Sequence, residues 1–229
     1  MLRTILTILL WLFTLPALAD VTFDNGTQDS VHTASSFSFN HTTGSGNNRL
    51  LTVLIAVNGT DVTSVTYNSV GLTLKTRSNS LGKHAEEWYL VNPATGSNSV
   101  AVVLGASQEV MARAVSFAGV DQSNPLGTSQ VASNSSGTST SVTISATSNG
   151  QCIDTLTLDQ TTSAETANTG QVNTSILNTG SNLHTASSTE PGSTCATQGW
   201  SWTTSSLNVY IATPINAAAG RVGNPIIFQ

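Results

Sequence analysis

Neighbouring carboxylates, which could form a general acid and base pair, occur at one place in the sequence, Glu86-Glu87. That chemistry requires both carboxyl groups to reach the same substrate atom. Consecutive residues on a strand point to opposite faces of a sheet, so these two glutamates cannot share a substrate atom. We therefore predict a structural role, in which one glutamate is partly buried and paired with Arg49 or Arg113.

The serines and histidines form no recognisable catalytic or metal-binding motif. Serine is abundant, but the Gly-x-Ser-x-Gly turn that presents a nucleophilic serine in many hydrolases is absent. The histidines lie far apart among Ser, Thr and Asn residues typical of exposed loops, without the short spacing of a zinc site. They are His32, His41, His84 and His184. We predict that the protein has no catalytic residues and no metal site, and that it is not an enzyme.

Calcium is the one cofactor that the sequence leaves open, as a minor hypothesis. It accepts backbone carbonyls and isolated carboxylates, which leave no spacing signature. The loop acids that could contribute are Asp24, Asp29, Asp61 and Asp121. Asp121 is most simply explained as a turn residue, its side chain accepting hydrogen bonds from backbone N–H groups ahead of Asn124-Pro125.

Two tryptophans could bind a glycan. Trp200 and Trp202 would face the same side of a strand. Sugar rings stack on exposed aromatic rings, and hydroxyl-rich neighbours bond sugar hydroxyls, so this pair is a possible glycan-binding site. The alternative is that both rings pack on the core or cover a disulfide.

The cysteines and the N-terminus indicate export. Residues 1–19 combine a basic start, a short apolar run and a small-residue cleavage site, which predicts a removed signal peptide rather than a transmembrane anchor. In an exported chain, the two cysteines Cys152 and Cys195 favour one disulfide in an oxidising compartment. We predict a secreted or cell-surface protein with no membrane insertion after cleavage.

The composition narrows the class of partner. Acidic residues outnumber basic ones by twelve to seven and no basic run occurs, which argues against nucleic acid. Only 8% of the residues are charged, a balance typical of extracellular β-proteins with hydroxyl-rich surfaces. Disorder is disfavoured because the apolar residues, 38% of the chain, fall into patterned runs.

The apolar runs have the length of strands, and no helical spacing occurs after the signal peptide, so the fold is predicted to be all-β. The clearest strand, Arg49 to Val57, is apolar on both faces and should be central. Val110 to Ala118 should also be internal. We predict a single antiparallel β-sandwich over residues 20–213, with a C-terminal tail over 214–229.

Turn residues between these runs predict three strand pairs. The pairs are Val62–Tyr67 with Val70–Thr76 around Asn68-Ser69, His84–Val91 with Ser99–Leu104, and Val142–Ala146 with Cys152–Leu158 around Ser148-Asn149-Gly150. The polar tract from Asp159 to Gly199 is predicted to form long loops or edge strands. Its plausible buried anchors are Val172, Ile176, Leu177 and Leu183.

Several segments, in this order, carry a resemblance over most of the mature chain. They are Asn40 to Leu51, Val65-Thr66-Tyr67 with Leu72-Thr73, Glu87 to Val91, Ala114 to Gln122, Pro125-Leu126-Gly127, and Ser201-Trp202-Thr203. Together they resemble a poorly characterised β-sandwich module of secreted bacterial and bacteriophage structural proteins. The resemblance implies a jelly-roll-like sandwich and brings no known catalytic set. The sequence departs from the module between Asp159 and Gly199.

These observations predict an exported, non-catalytic structural or adhesive surface protein that acts by binding surface glycans or by self-assembly. The alternative is a lectin-like carbohydrate-binding module, and the third function is a secreted hydrolase. Few charges guard the sheet edges, so copies could pair. The N-terminal Val21 to Ser36 and the C-terminal Val222 to Phe228 could each add a strand to a neighbour, or could pack on their own sandwich.

Overall fold

A computed structural model describes residues 20–29, 32–160, 164–178 and 182–219, which form antiparallel sheets without a helix. The predicted signal peptide and the tail from residue 220 onwards lie outside the described residues. The strands are β1 (Thr22–Gln28), β2 (His32–Thr43), β3 (Leu50–Asn58), β4 (Val62–Tyr67), β5 (Val70–Gly71), β6 (Thr73–Ser80), β7 (Lys83–Val91), β8 (Gly96–Ala118), β9 (Gln130–Asn134), β10 (Ser139–Thr143), β11 (Gln151–Leu158), β12 (Thr166–Ala167), β13 (Val172–Asn178), β14 (His184–Pro191), β15 (Thr197–Ser201) and β16 (Asn208–Ile215).

The long strand β8 organises an eight-stranded sheet. Its first half pairs with β2 and β4, and its second half pairs with β1 and β3. Strands β7 and β6 continue the sheet beyond β3, and β5 continues it beyond β4. The two segments that we predicted as separate strands, Ser99–Leu104 and Val110–Ala118, are therefore parts of one strand.

The eight-stranded sheet curls around its own hydrophobic core. Val53 and Ile55 of β3 pack in one buried cluster with Tyr67 of β4 and with Val102 and Ala112 from the two halves of β8. Because both halves of β8 contribute to the same cluster, the sheet bends until it is nearly closed.

The opposite face of β3 packs against a second sheet, ordered β13-β14-β11-β16-β9. Leu50 and Leu54 of β3 contact Ile153 of β11 and Ile215 of β16 in this layer. The prediction that β3 is central, with both faces buried, is confirmed. The other face of the five-stranded sheet carries Leu156, which packs towards a three-stranded sheet ordered β10-β15-β12.

The predicted hairpin at Asn68-Ser69 is confirmed in part. Both residues have positive φ, 48° and 65°, as a tight two-residue hairpin turn requires, and β5 pairs with β4. The returning strand ends after two residues because the side chain of Leu72 turns into the core. The chain then continues as β6, which pairs with β7 instead.

The other two predicted strand pairs are wrong. Strand β3 lies between β7 and β8, so these two strands do not form a hairpin. Strands β10 and β11 belong to different sheets, and the turn at Asn149-Gly150 carries the chain from one sheet to the next. Turn residues specify where the chain reverses, whereas the partner of a strand depends on contacts distant in sequence.

The tract from Asp159 to Gly199 is more ordered than the sequence predicts. Strand β14 lies inside the five-stranded sheet, between β11 and β13. Of the four predicted anchors, Leu183 is fully buried and Leu177 is partly buried. Val172 and Ile176 are instead exposed on the edge strand β13.

The N-terminal segment is used within its own sheet. Strands β1 and β2 both pair with β8, so Val21 to Ser36 is not a free strand in this structure. The other predicted exchange segment, Val222 to Phe228, lies outside the described residues. Strand β16 extends to Ile215, two residues beyond the predicted end of the domain. None of the described residues forms a helix that could span a membrane.

Directly after β8, Gly119 has a positive φ of 77°, and we expect substitution of this glycine to destabilise the fold. A Cβ atom there would overlap the backbone carbonyl oxygen of Asp20. Gly82 has a similar φ of 83° but no heavy atom within 4 Å of its Cβ position, so Gly82→Ala is a matched control. Both substitutions should cost about 1 kcal/mol for the left-handed backbone, and Gly119→Ala should cost at least about 1 kcal/mol more. Equal losses in urea denaturation would contradict this account.

Candidate functional site

The predicted disulfide is present and lies in the core between the five-stranded and three-stranded sheets. Cys152 is bonded to Cys195, and Trp200 and Trp202 pack in the same cluster. The tryptophans are only 1% and 5% exposed, and the Trp202 indole N–H donates to the carbonyl of Gly137 at 2.8 Å. These rings therefore offer no exposed face to a sugar. They pack in the core beside the disulfide, which is the alternative to glycan binding that the sequence left open.

A fully buried carboxylate, Asp154 of β11, is surrounded by hydrogen-bond donors in this core. One carboxylate oxygen accepts from the backbone and side chain of Ser188, at 2.6 and 3.0 Å. The other accepts from Gln171, Trp200 and Tyr210, at 2.8, 3.0 and 2.8 Å. Burial raises the pKa of Asp154 to about 7, although these hydrogen bonds favour the ionised form.

Two further buried acids, Glu86 and Glu87, face opposite sides of β7 as predicted. The partner of Glu86 is Arg77, with a nitrogen to oxygen distance of 2.9 Å, and not Arg49 or Arg113. Sequence reasoning missed Arg77 as the partner of Glu86. The pairing of β6 with β7 places Arg77 directly opposite Glu86. Glu86 also accepts hydrogen bonds from the Trp88 indole and from the backbone N–H of Val62.

Among the described residues, one group of three side chains has the spacing of a metal site: Asp61, His84 and Glu86. The guanidinium of Arg77 already contacts both carboxylates, at 2.9 Å each, and His84 lies 2.7 Å from Asp61. A metal ion would have to displace this cation. The arrangement is a compensated ion-pair network, and the absence of a metal stays a prediction.

The remaining calcium candidates are mostly engaged within the fold. Asp24 accepts hydrogen bonds from the Ser116 hydroxyl and the backbone N–H of Gly44, both at 2.7 Å. The side chain of Asp121 accepts from the backbone of Ser123 and Asn124, which is the turn role expected for it.

The expectation of exposed histidines is wrong for the three whose side chains are described. His41 and His184 are fully buried and His84 nearly so, while the side chain of His32 is not described. His41 bonds the hydroxyls of Thr27 and Ser116, and burial lowers its pKa to about 4. Ser116 lies between Asp24 and His41, whereas a serine nucleophile needs the histidine in the middle. This set fixes β1, β2 and β8 together.

A polar cleft of about 440 Å³ opens between β6 and the loop before β9. We name it the Lys75 cleft, and its lining residues are Lys75, Thr76, Asn124, Leu126, Gly127, Thr128 and Ser129. Behind it lies Glu87, whose carboxylate is bonded to the hydroxyl of Thr213, which in turn lies 2.8 Å from the hydroxyl of Ser129. Burial raises the pKa of Glu87 to about 8. No motif marks these residues, so sequence reasoning missed them.

No protein-family model matches the chain, and no curated protein or solved structure is significantly similar to it. The resemblance to a module of secreted bacterial and bacteriophage structural proteins therefore stays a prediction. The structure establishes the all-β fold class and the disulfide. The function has to be inferred from the surfaces of the structure.

The two raised pKa values predict that stability falls as the pH rises from about 5 to 8. The pKa values of Glu87 and Asp154 are about 8 and about 7, against ordinary values of 4.5 and 3.8. In this window the folded state binds more protons than the unfolded state, so a rise in pH favours unfolding. Glu87→Gln should flatten the slope and be more stable than the wild type at pH 8 by on the order of 1 to 3 kcal/mol.

Urea denaturation between pH 5 and 8.5 measures this slope. Glu109→Gln is the matched control, since Glu109 is partly exposed at the sheet surface and bonded to Asn58. A wild-type stability that rises through this window, or equal slopes for the two variants, would contradict the assignment.

Proposed function

We propose that this chain is an exported, non-catalytic structural or adhesive surface protein, which acts by binding or by assembling with copies of itself. The observation that carries the proposal is that both edges of the five-stranded sheet are uncharged and expose apolar side chains. Val131 on β9 is 51% exposed, and Val172 and Ile176 on β13 are 46% and 43% exposed.

Natural proteins usually guard sheet edges with lysine, proline or inward-pointing charges. Neither β9, with sequence QVASN, nor β13, with sequence VNTSILN, carries a charged residue or a proline. The edge strand β6 of the eight-stranded sheet differs, because it carries Lys75 and Arg77. The edges of the three-stranded sheet, β10 and β12, are also uncharged. Among the described sheets, the five-stranded sheet is the one that combines two uncharged edges with exposed large apolar side chains on both.

Strands β9 and β13 are opposite edges of one sheet, so pairing of β9 in one copy with β13 in another would be head to tail. The β9 edge of one copy would extend the sheet at the β13 edge of the next. Such a contact need not close into a ring and can propagate as a filament. The exposed side chain of Gln28 bonds to the carbonyl of Ile176 and to the hydroxyl of Ser175 on β13 and can be displaced. Arg113 donates to the carbonyl of Asn173, near the start of the same strand.

Export is supported by two features. The disulfide between Cys152 and Cys195 indicates an oxidising compartment. The predicted signal peptide over residues 1–19 would direct the chain there. The jelly-roll-like sandwich belongs to this proposal, since it comes from the resemblance to secreted structural modules.

A second candidate function is carbohydrate binding by a lectin-like module. Trp200 and Trp202 do not support it because both are buried, whereas the polar Lys75 cleft favours it. A secreted hydrolase is the third candidate. The buried carboxylates bond to groups of the protein itself, which supports a structural role for them.

Charged substitutions on the two edges test assembly in the mature chain, residues 20–229. Val131→Lys and Ile176→Lys should each shift sedimentation towards the monomer and shorten any filaments seen by negative staining. Val103→Lys is the matched control, because Val103 is 42% exposed but lies on β8, whose first half pairs on both sides. A wild-type chain that remains monomeric at high concentration, or edge variants that behave like Val103→Lys, would overturn the assembly proposal.

A further inference from the structure

The Lys75 cleft contains a lysine that forms no ion pair at contact distance with another described residue, although the buried Glu87 behind the cleft attracts it electrostatically. Lys75 is partly buried, and among the described residues it has neither a carboxylate at ion-pair distance nor a hydrogen-bond acceptor. The other described cations are engaged: Arg77 and Lys83 form ion pairs, and Arg49 and Arg113 donate to protein oxygens. An ammonium group in a cleft without an ion-pair partner attracts an anionic ligand.

The hydrogen bonds behind the cleft leave a further donor for a ligand when Glu87 is protonated. The hydroxyl of Thr213 contacts both Glu87 and Ser129, yet a hydroxyl has a single hydrogen to donate. Two arrangements satisfy both contacts: Ser129 donates to Thr213 and Thr213 donates to an ionised Glu87, or a protonated Glu87 donates to Thr213 and Thr213 donates to Ser129. Burial raises the pKa of Glu87 and favours the second arrangement. The hydroxyl hydrogen of Ser129 is then free to bond an acceptor in the cleft.

Protonation of Glu87 also removes a negative charge that attracts Lys75. Burial raises the pKa of Glu87 to about 8, which favours the neutral form of the carboxyl group. Thr76, which lines the cleft, lies directly opposite Glu87 across the strand pair. The cleft wall is therefore cationic at Lys75 and neutral behind it.

The wall that faces Lys75 is held rigidly by backbone bonds. The N–H of Gly127 donates to the carbonyl of Pro214 at 2.8 Å, and Leu126 forms a bridge with Ile215 of β16. The side chain of Leu126 is nearly buried, so this wall is anchored in the core. A preformed wall loses little conformational entropy when a ligand binds.

We propose that the Lys75 cleft binds an acidic saccharide, with the sugar carboxylate against Lys75 and Ser129 and the sugar hydroxyls against Asn124 and Thr128. An open cleft lined by hydroxyl and amide groups suits a hydroxyl-rich chain. An acidic peptide would need apolar pockets for its other side chains, and Leu126, the only large apolar residue of the lining, is nearly buried.

This inference is independent of edge pairing, since no residue of β9 or β13 lines the cleft. It names a site and a ligand class for the binding part of the proposed function. A chain that binds the saccharide as a strict monomer would support the cleft proposal and reject assembly. A chain that assembles but does not bind the saccharide would support assembly and reject the cleft proposal.

Isothermal titration of the mature chain at pH 6 tests the proposal with defined probes. The probes are an oligogalacturonate, a neutral glucose oligomer of equal length, monomeric galacturonate and an oligoglutamate. The oligogalacturonate should bind at least about tenfold more tightly than the other three. Its affinity should fall with added salt, because the contact with Lys75 is electrostatic.

The variants locate the binding. Lys75→Gln should weaken oligogalacturonate binding about tenfold, whereas Lys75→Arg retains the charge and should keep most of the affinity. Ser129→Ala should weaken binding by about threefold or more. Ser123→Ala is the matched control, since Ser123 is exposed on the same loop but does not line the cleft.

Four results would overturn the proposal. They are no binding of the oligogalacturonate, equal binding by Lys75→Gln and the wild type, equal affinity for monomeric galacturonate, and equal or tighter binding of the oligoglutamate. The third would define a simple anion site, and the fourth would define an acidic protein partner.

Discussion

The hydrogen bonds to the Asp154 carboxylate hold the three-stranded sheet against the five-stranded sheet. The carboxylate belongs to β11, and its donors belong to β14, β15, β16 and the segment before β13. A buried carboxyl group without partners would cost several kcal/mol, so the sheets are stable together only in the arrangement that supplies these donors. The disulfide from Cys152 to Cys195 closes the same layer covalently.

The need to satisfy buried polar groups extends through the other layers. The five-stranded sheet is covered on both faces, so its many hydroxyl side chains cannot be bonded by bulk water. Between this sheet and the eight-stranded sheet, Glu87 and Arg113 flank Leu54 in one row and bond to Thr213 and Ser187 on the opposite layer. A sequence with few charges can still contain a polar core, because it places those charges inside.

The sequence predicted the features that depend on local pattern. The all-β class, the doubly buried strand β3 and the turn at Asn68-Ser69 follow from periodicity and from turn residues. The disulfide follows from an even cysteine count. The partners of β7, β8, β10 and β11 could not be predicted, because they are set by packing between segments distant in the chain. Buried Ser and Thr residues made β14 look like a loop, since their burial depends on Asp154 and Arg113, which no local pattern indicates.

The need to satisfy buried polar groups also distinguishes the interior of the protein from the surfaces that can bind a partner. Serine, histidine and aspartate side chains do meet at Ser116, His41 and Asp24, but they are ordered to join strands and not to activate a nucleophile. Groups that the fold leaves uncompensated are therefore more informative than groups that it brings together. Among the described residues these groups include the uncharged edges β9 and β13, with their exposed apolar side chains, and the ammonium group of Lys75, which forms no ion pair at contact distance. An edge offers backbone groups to another strand, whereas a single partly buried cation selects an anion, so the two surfaces can recognise different partners.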